Sequence, residues 1–394
     1  MLTWYILPLA TPVILAALIA HFWGSPIALP KAIRFALVLA VALGAMRVYW
    51  YILSGGTVWH SNFGRTASIA IDVWYFTALS LVVLLACRGL VNIPAKLMGR
   101  GHPIDPSSIT VALGMLGAAV LIAVTGVVNG YGLPQMTRIT VPVRNLPAAA
   151  EGYRIAFLAD THICNITEKS HVAEIVRMVN DQTPDLVLLG GDYQDGRFDK
   201  IKDKLQELTK LQGLDGVYAV TGNHEGYGPD APRYRALYEQ GGFKFLDNAN
   251  VTISDPKRGP LFNLAGVHDP VFGKIGARPD LALAGLTEGL PVFMLSHRPR
   301  LFDAVSDRVD LMLSGHTHGG SGPGLAQVIA RMNHGYVAGE YVKDNGARLI
   351  VSRGVQQWMG WAFRLFNPNE IVLVTLKNAR STPAAETSPA NTRQ

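Results

Sequence analysis

Four apolar stretches crowded into the first third of the chain restrict its folding more than any other feature. They run approximately over Leu2–Phe22, Ile33–Leu53, Ile69–Leu90 and Ile109–Gly130. Each approaches the roughly 20 residues that a helix needs to cross a bilayer, where every backbone N–H and C=O must be satisfied within the segment. The sequence therefore predicts a four-helix transmembrane region over residues 1–130. The first stretch lacks a basic leader and a small-residue cleavage site, so it reads as a retained helix. Its Pro8 and Pro12 fall in the first turns, where proline costs least.

Charge divides the chain at the same place. Residues 1–144 hold nine Lys and Arg against two Asp and Glu, and residues 145–394 hold 26 against 27. The net charge of +6 belongs to the N-terminal part alone. A near-neutral second half lacks the clustered Lys and Arg that neutralise phosphates, so no nucleic-acid partner is expected. Lys31 and Arg34 on the first connection and Arg88, Lys96 and Arg100 on the third outnumber Arg65 and Arg47 on the second. The bias of basic residues toward the cytoplasm then puts both termini, and all that follows residue 130, on the outer periplasmic or extracellular face. Cys87 and Cys164 are the two cysteines, too isolated in the chain for a disulfide. Cys164 reads as a small packed residue, because no second cysteine completes a zinc-type pair.

Beyond the apolar region, residues 131–152 carry Pro134, Pro142 and Pro147 and read as a linker with one short strand at Arg138–Val143. Short β-rich runs follow at Tyr153–Ala159, Asp185–Leu189, Gly216–Val220, Leu261–Val267, Pro291–Leu295 and Asp310–Leu313. Between them, Thr167–Asp181, Asp199–Leu211 and Pro229–Gln240 have helical spacing. Two late strands are expected at Arg348–Ser352 and Glu370–Leu376. The alternation predicts an α/β domain over 153–378, and the Ser-, Thr- and Pro-rich residues 379–394 read as a disordered tail.

Five segments in this half end in metal-ligating residue types: Asp160-Thr161-His162, Gly190-Gly191-Asp192, Gly222-Asn223-His224-Glu225, Ser296-His297 and Gly315-His316-Thr317-His318. Four of them follow an apolar run of strand length, so their side chains fall on loops at carboxyl ends of strands, where open α/β sheets bind ligands. Singly, each is weak; a lone buried histidine is more often a packed core residue. Together they offer carboxylate, imidazole and amide donors, a set that suits two divalent cations such as Mn²⁺, Fe²⁺ or Zn²⁺.

The ordered set, with the phrases LSHRP and SGHTHGG and a late SRG before Phe366-Asn367-Pro368-Asn369-Glu370-Ile371, resembles the calcineurin-like metallophosphoesterases over about residues 150–377. It looks closest to the membrane-associated branch of YkuE-like, YaeI-like and transmembrane metallophosphoesterases. The resemblance implies a four-layer αββα sandwich with a dinuclear site where the strand ends meet. By motif position it assigns Asp160, His162 and His318 to one metal and Asn223, His297 and His316 to the other. Asp192 bridges them, and His224 protonates or stabilises the leaving oxygen. A metal-bridging hydroxide would attack phosphorus in line.

Other residues keep two readings. Glu225 and Asp195 either orient a ligand or end a turn. Arg298, Arg300 and Arg353 either clamp phosphate or form surface ion pairs. Trp358, Trp361, Phe363 and Phe366 either line a substrate groove, touch lipid headgroups or tuck against the sheet. His171, His268 and His334 have no motif behind them and read as structural. The expected function is a membrane-tethered two-metal phosphohydrolase acting on phosphodiester or pyrophosphate bonds, with a lipid or lipid-linked substrate and the bilayer as partners. The alternative is a transport or sensor bundle regulated by the α/β domain; its intramembrane ionisable groups are chiefly Asp72, Arg47 and His21, the first two placed to pair at one interface.

Overall fold

The computed structural model describes residues 3–379, apart from 59, 60, 228, 258, 323 and 359. Its N-terminal helices are α1 (Thr3–Leu18), α2 (Lys31–Ala45), α3 (Arg47–Leu53), α4 (Arg65–Leu97) and α5 (Ile109–Tyr131). Among the described residues, α4 and α5 are the helices long and apolar enough to cross a membrane. The second apolar stretch breaks at Met46, whose ψ of 20° leaves helical geometry, and α2 and α3 meet there at 64°. The break turns Arg47 inward onto Asp72. The first stretch passes from α1 directly into a π-helical turn at Ile19–Gly24. Against the four spans expected, the described residues hold two helices of spanning length and composition, or three if the bent pair counts as one.

The second half forms two mixed six-stranded sheets. The first contains β1 (Gln135–Val143), β2 (Arg154–Leu158), β3 (Leu186–Leu189), β4 (Val217–Ala219) and β5 (Phe243–Phe245), with the final strand β12 (Glu370–Asn378) between β1 and β2. The second runs from β6 (Ala249–Asp255) and β7 (Gly259–Gly266) through β8 (Val292–Leu295) and β9 (Leu311–Ser314) to β11 (Arg348–Val351) and β10 (Gly339–Val342). The neighbours β2, β3, β4 and β5 are parallel, as are β7, β8, β9 and β11.

Side-chain alternation explains how the sheets stack. Ile155, Phe157, Leu186 and Leu188 point into a core shared with Phe262, Leu264, Phe293 and Leu313 of the second sheet. Their neighbours Ala156, Leu158, Val187 and Leu189 pack under α6 (Lys169–Asn180), α7 (Phe198–Leu208) and α8 (Ala231–Gln240). Across the molecule, Met294, Met312 and Leu349 pack against α9 (Pro279–Ala282) and α10 (Phe302–Val305). Strands buried on both faces must be apolar at nearly every position, and β3 is Leu-Val-Leu-Leu. Burying each large apolar side chain contributes roughly 1.5–3 kcal/mol. The β5, β6 and β10 strands, and α11 (Leu325–Met332), were not expected from the sequence.

Helix α5 leads into β1 across three residues. Asn369 caps the junction, its Nδ2 donating to the carbonyls of Asn129, Gly130 and Gly132, which have no partner inside the helix. Residues 380–394, nearly all of the expected tail, lie outside the described residues.

Candidate metal centre

The loops after β2, β3, β4, β8 and β9 converge, as carboxyl ends of parallel strands do. Asp160 Oδ1 lies 3.4 Å from His318 Nε2 and 3.9 Å from His162 Nε2, and the two imidazole nitrogens are 3.1 Å apart. Next to this trio, Asp192 Oδ2 lies 3.1 Å from His297 Nε2 and 3.7 Å from His162 Nε2. His297 Nε2 in turn lies 3.2 Å from His316 Nδ1. The donor atoms of Asp160, His162 and His318 fall within 4.8 Å of one another, as do those of Asp192, His297 and His316 and those of His162, Asp192 and His224. Asp192 thus stands between the two sets. Asn223 is buried beside it, with its Oδ1 3.5 Å from Arg298 Nη2.

The backbone is strained at these positions. Asp160, His162, Asp192, His316 and His318 all have left-handed φ, at 58°, 36°, 55°, 73° and 49°. A non-glycine residue held there costs of order 1–3 kcal/mol and persists only where its surroundings impose it, a pattern concentrated at functional sites. Two glycines make the fit possible. A Cβ on Gly222 would stand 2.2 Å from Asp192 Oδ1, and one on Gly315 would stand 2.4 Å from Asp160 Oδ2.

Surrounding groups orient the rings. Asp195 accepts from Nδ1 of His162 at 2.9 Å and also from Nδ1 of His224, so one carboxylate sets both imidazoles. Glu225 instead serves the backbone, accepting from the N–H groups of Asp192, Tyr193 and Gly222 at 2.6–2.8 Å. His297 Nδ1 is 2.8 Å from the Gly190 carbonyl, which leaves Nε2 toward the cluster.

Burial governs the charges. It lowers His316 and His318 well below the ordinary histidine range, reinforced by His297 for the first and His162 for the second, so both are neutral donors. Burial also opposes ionisation of Asp192 and Asp195, yet His297 and His224 respectively hold them well below the usual carboxylate range. His224 is pulled down by burial but raised more by Asp195 and Asp192, to about 10. His297 behaves likewise, against Asp192, and reaches about 10. Burial lifts Asp160 to about 6, and burial followed by Asp192 lifts Glu225 to about 7.

These residues fit divalent cations. Two imidazole nitrogens facing each other at 3.1 Å can share only one proton, and a second such pair, at 3.2 Å, adjoins the first. A cation in each gap would satisfy both lone pairs and the adjacent carboxylate.

The remaining candidates have the following surroundings. Arg298 holds the buried Asp269 at 2.7 Å, and Arg353 holds Glu370 at 2.7 Å. Arg300 is exposed. Cys164 is buried against Thr167 and joins no ligand group among the described residues. His268 and His334 pair with Asp247 and Asp303. Trp358 stacks on His318 with centroids 6.1 Å apart, while Trp361 and Phe363 pack on Phe76 of α4. Phe366 is 89% exposed. Arg364, embedded in this aromatic run without a motif, drew no attention in the sequence, yet its guanidinium touches His318.

Residues 153–320 match the family of calcineurin-like phosphoesterases. Over 313 residues the chain is 29% identical to a transmembrane protein with metallophosphoesterase domain from Danio rerio, covering 76% of this chain and 71% of that one. The similarly named protein of Bos taurus is 32% identical over 281 residues, covering 68% of this chain and 62% of its own length, so the chain spans less than two thirds of that relative. The uncharacterized metallophosphoesterase YkuE of Bacillus subtilis (strain 168) is 28% identical over 284 residues, covering 67% of this chain and 96% of that protein. Residues 153–320 thus belong to the calcineurin-like phosphoesterase family, and the chain carries a metal-dependent phosphoesterase domain.

Proposed function

We propose that this protein is a membrane-anchored, two-metal phosphohydrolase acting on phosphodiester or pyrophosphate bonds of a lipid or lipid-linked substrate. The observation that carries this reading is the pair of buried Asp–His clusters meeting at Asp192. Asp160, His162 and His318 would hold one cation, Asn223, His297 and His316 the other, with Asp192 between them. Mn²⁺, Fe²⁺ and Zn²⁺ all suit such donors. When bound, the pair supplies a water acidified for attack on phosphorus and positive charge against the phosphoryl oxygens.

The chain's own residues do the remaining work. Asp195 holds His162 and His224 at Nδ1 and so presents both Nε2 atoms to the cluster. His224 has its Nε2 3.9 Å from Asp192 Oδ2, and its side chain keeps 9% exposure. Asp195 and Asp192 favour its protonated form, which can give a proton to the leaving oxygen.

The lipid assignment rests on the aromatic loop. Trp358 lies on His318 while Trp361 and Phe363 contact α4, so a single loop separates the cluster from the apolar helices. In this reading residues 1–130 are a multi-pass anchor and 153–378 the catalytic domain. Arg88 bonds Phe22 at the end of the helices away from the sheets, whereas Arg65 and Tyr131 lie at the near end. The bias of basic residues toward the cytoplasm then supports a catalytic domain on the outer face.

The test is full-length protein in detergent, loaded with each metal and assayed against soluble aryl phosphomonoesters and diesters and against lipid phosphodiesters and pyrophosphates in mixed micelles. Metal-dependent turnover, greatest for the lipids, is expected. Asp192→Asn should lower it at least about 100-fold, as loss of positioned metal-site groups does. Undiminished activity in that variant would sink the two-metal mechanism.

A further inference from the structure

Arg364 is fully buried, and its guanidinium is spent on groups that carry no negative charge. Nη1 donates to the carbonyls of His318 at 2.9 Å and Arg353 at 2.7 Å. Nη2 donates to the carbonyl of Gln356 at 2.6 Å and lies 3.0 Å from His318 Nδ1. Burying a guanidinium on carbonyls alone is costly. What it secures is His318, whose left-handed φ of 49° needs an external hold and whose carbonyl also accepts from Asn367 Nδ2 at 2.7 Å.

The same residue is fastened to the membrane helices by its backbone. The N–H of Arg364 donates to Gly126 O at 2.8 Å, and Asn129 Nδ2 donates to Arg364 O at 3.2 Å. Gly126 and Gly130 admit this close approach, since an added Cβ would stand 2.2 Å from Phe363 and 2.6 Å from the Ala362 carbonyl carbon. Helices α3 and α4 hold the loop from the other side. Arg47 pairs with Asp72 at 2.6 Å and donates to Gly360 O, and Asp72 accepts from Tyr51 and Tyr131, each at 2.7 Å. One residue therefore joins α5, through its main chain, to a candidate metal ligand, through its side chain.

We propose that Arg364 is a positioning residue through which the packing of α5 sets the geometry of His318. Cation affinity at the Asp160–His162–His318 set then depends on the membrane helices. This rests on the two-metal reading above.

Manganese binding by the full-length protein in detergent, followed by calorimetry, tests it without any assay of turnover. The unaltered protein should show two binding classes. Arg364→Met should weaken one class about 10–100-fold, the usual cost of losing a group that orients a ligand, and leave the other unchanged. Arg364→Lys should recover only part of the affinity, because an ammonium cannot reproduce the planar fork. Gly126→Ala, which displaces Phe363 and touches no cluster residue, should weaken the same class. Unaltered affinity in Arg364→Met or in Gly126→Ala overturns the proposal, as does an equal loss of both classes. Absence of any binding by the unaltered protein would instead sink the two-metal reading itself.

Discussion

At the scale of single residues, the site separates groups that touch the reacting centre from groups that hold others. In the proposed mechanism His224 belongs to the first kind. His224→Ala should lower kcat about 10²–10⁴-fold, the usual worth of a positioned acid, while metal content by elemental analysis stays intact. Loss of the metals would reassign it as a ligand. The candidate ligands were legible in the sequence because chemistry demands particular residue types after particular strands. The groups behind them were less so. Glu225 looked as suited to orienting a histidine as to ending a turn, and it serves three backbone N–H groups instead. Arg364 carried no signal at all, because its partners are carbonyls, which every residue has.

At the scale of elements, the buried parallel strands announced themselves by continuous apolar runs, and β2, β3, β8 and β9 fall within a residue or so of expectation. The edge strands β5, β6 and β10 did not. β5 is Phe-Lys-Phe and β10 is Gly-Glu-Tyr-Val, too short and too polar to stand out from loops. Helix breaks were also hidden, since nothing in the apolar run around Met46 marks a 64° bend. The turn after β4 yields a prediction of its own. Gly222→Ala puts a methyl carbon 2.2 Å from Asp192 Oδ1 and must displace that carboxylate. Activity should fall about 100-fold, as an ångström-scale misplacement in a catalytic site does, with far-ultraviolet circular dichroism unchanged.

At the scale of the whole molecule, the apolar helices and the sheets meet through polar as well as aromatic contacts. Asp72 and Arg47, on which a transport path would depend, are committed to this junction through Tyr51, Tyr131 and Gly360. Asp72→Asn leaves Arg47 buried without its charge partner, at a cost of about 3–5 kcal/mol. The full-length variant in detergent should melt at a lower temperature, and an unchanged melting curve would show that the pair contributes nothing to the junction. Sequence pairing of these two residues was legible from their depth in adjacent stretches. That the pair also grips a loop some 300 positions away, at Gly360, was not, because |i−j| of 313 leaves no local trace.

The placement of β12 between β1 and β2 has a consequence for biosynthesis. The helices α4 and α5 emerge from the ribosome and can enter a bilayer long before residue 370 exists. Until then β1 has no neighbour, because it pairs with β12 alone. β2, β3, β4 and β5 can pair among themselves, but β1 cannot join the first sheet until β12 has been made. A chain stopped before Glu370 would be inserted but unfinished, with an open sheet edge prone to association.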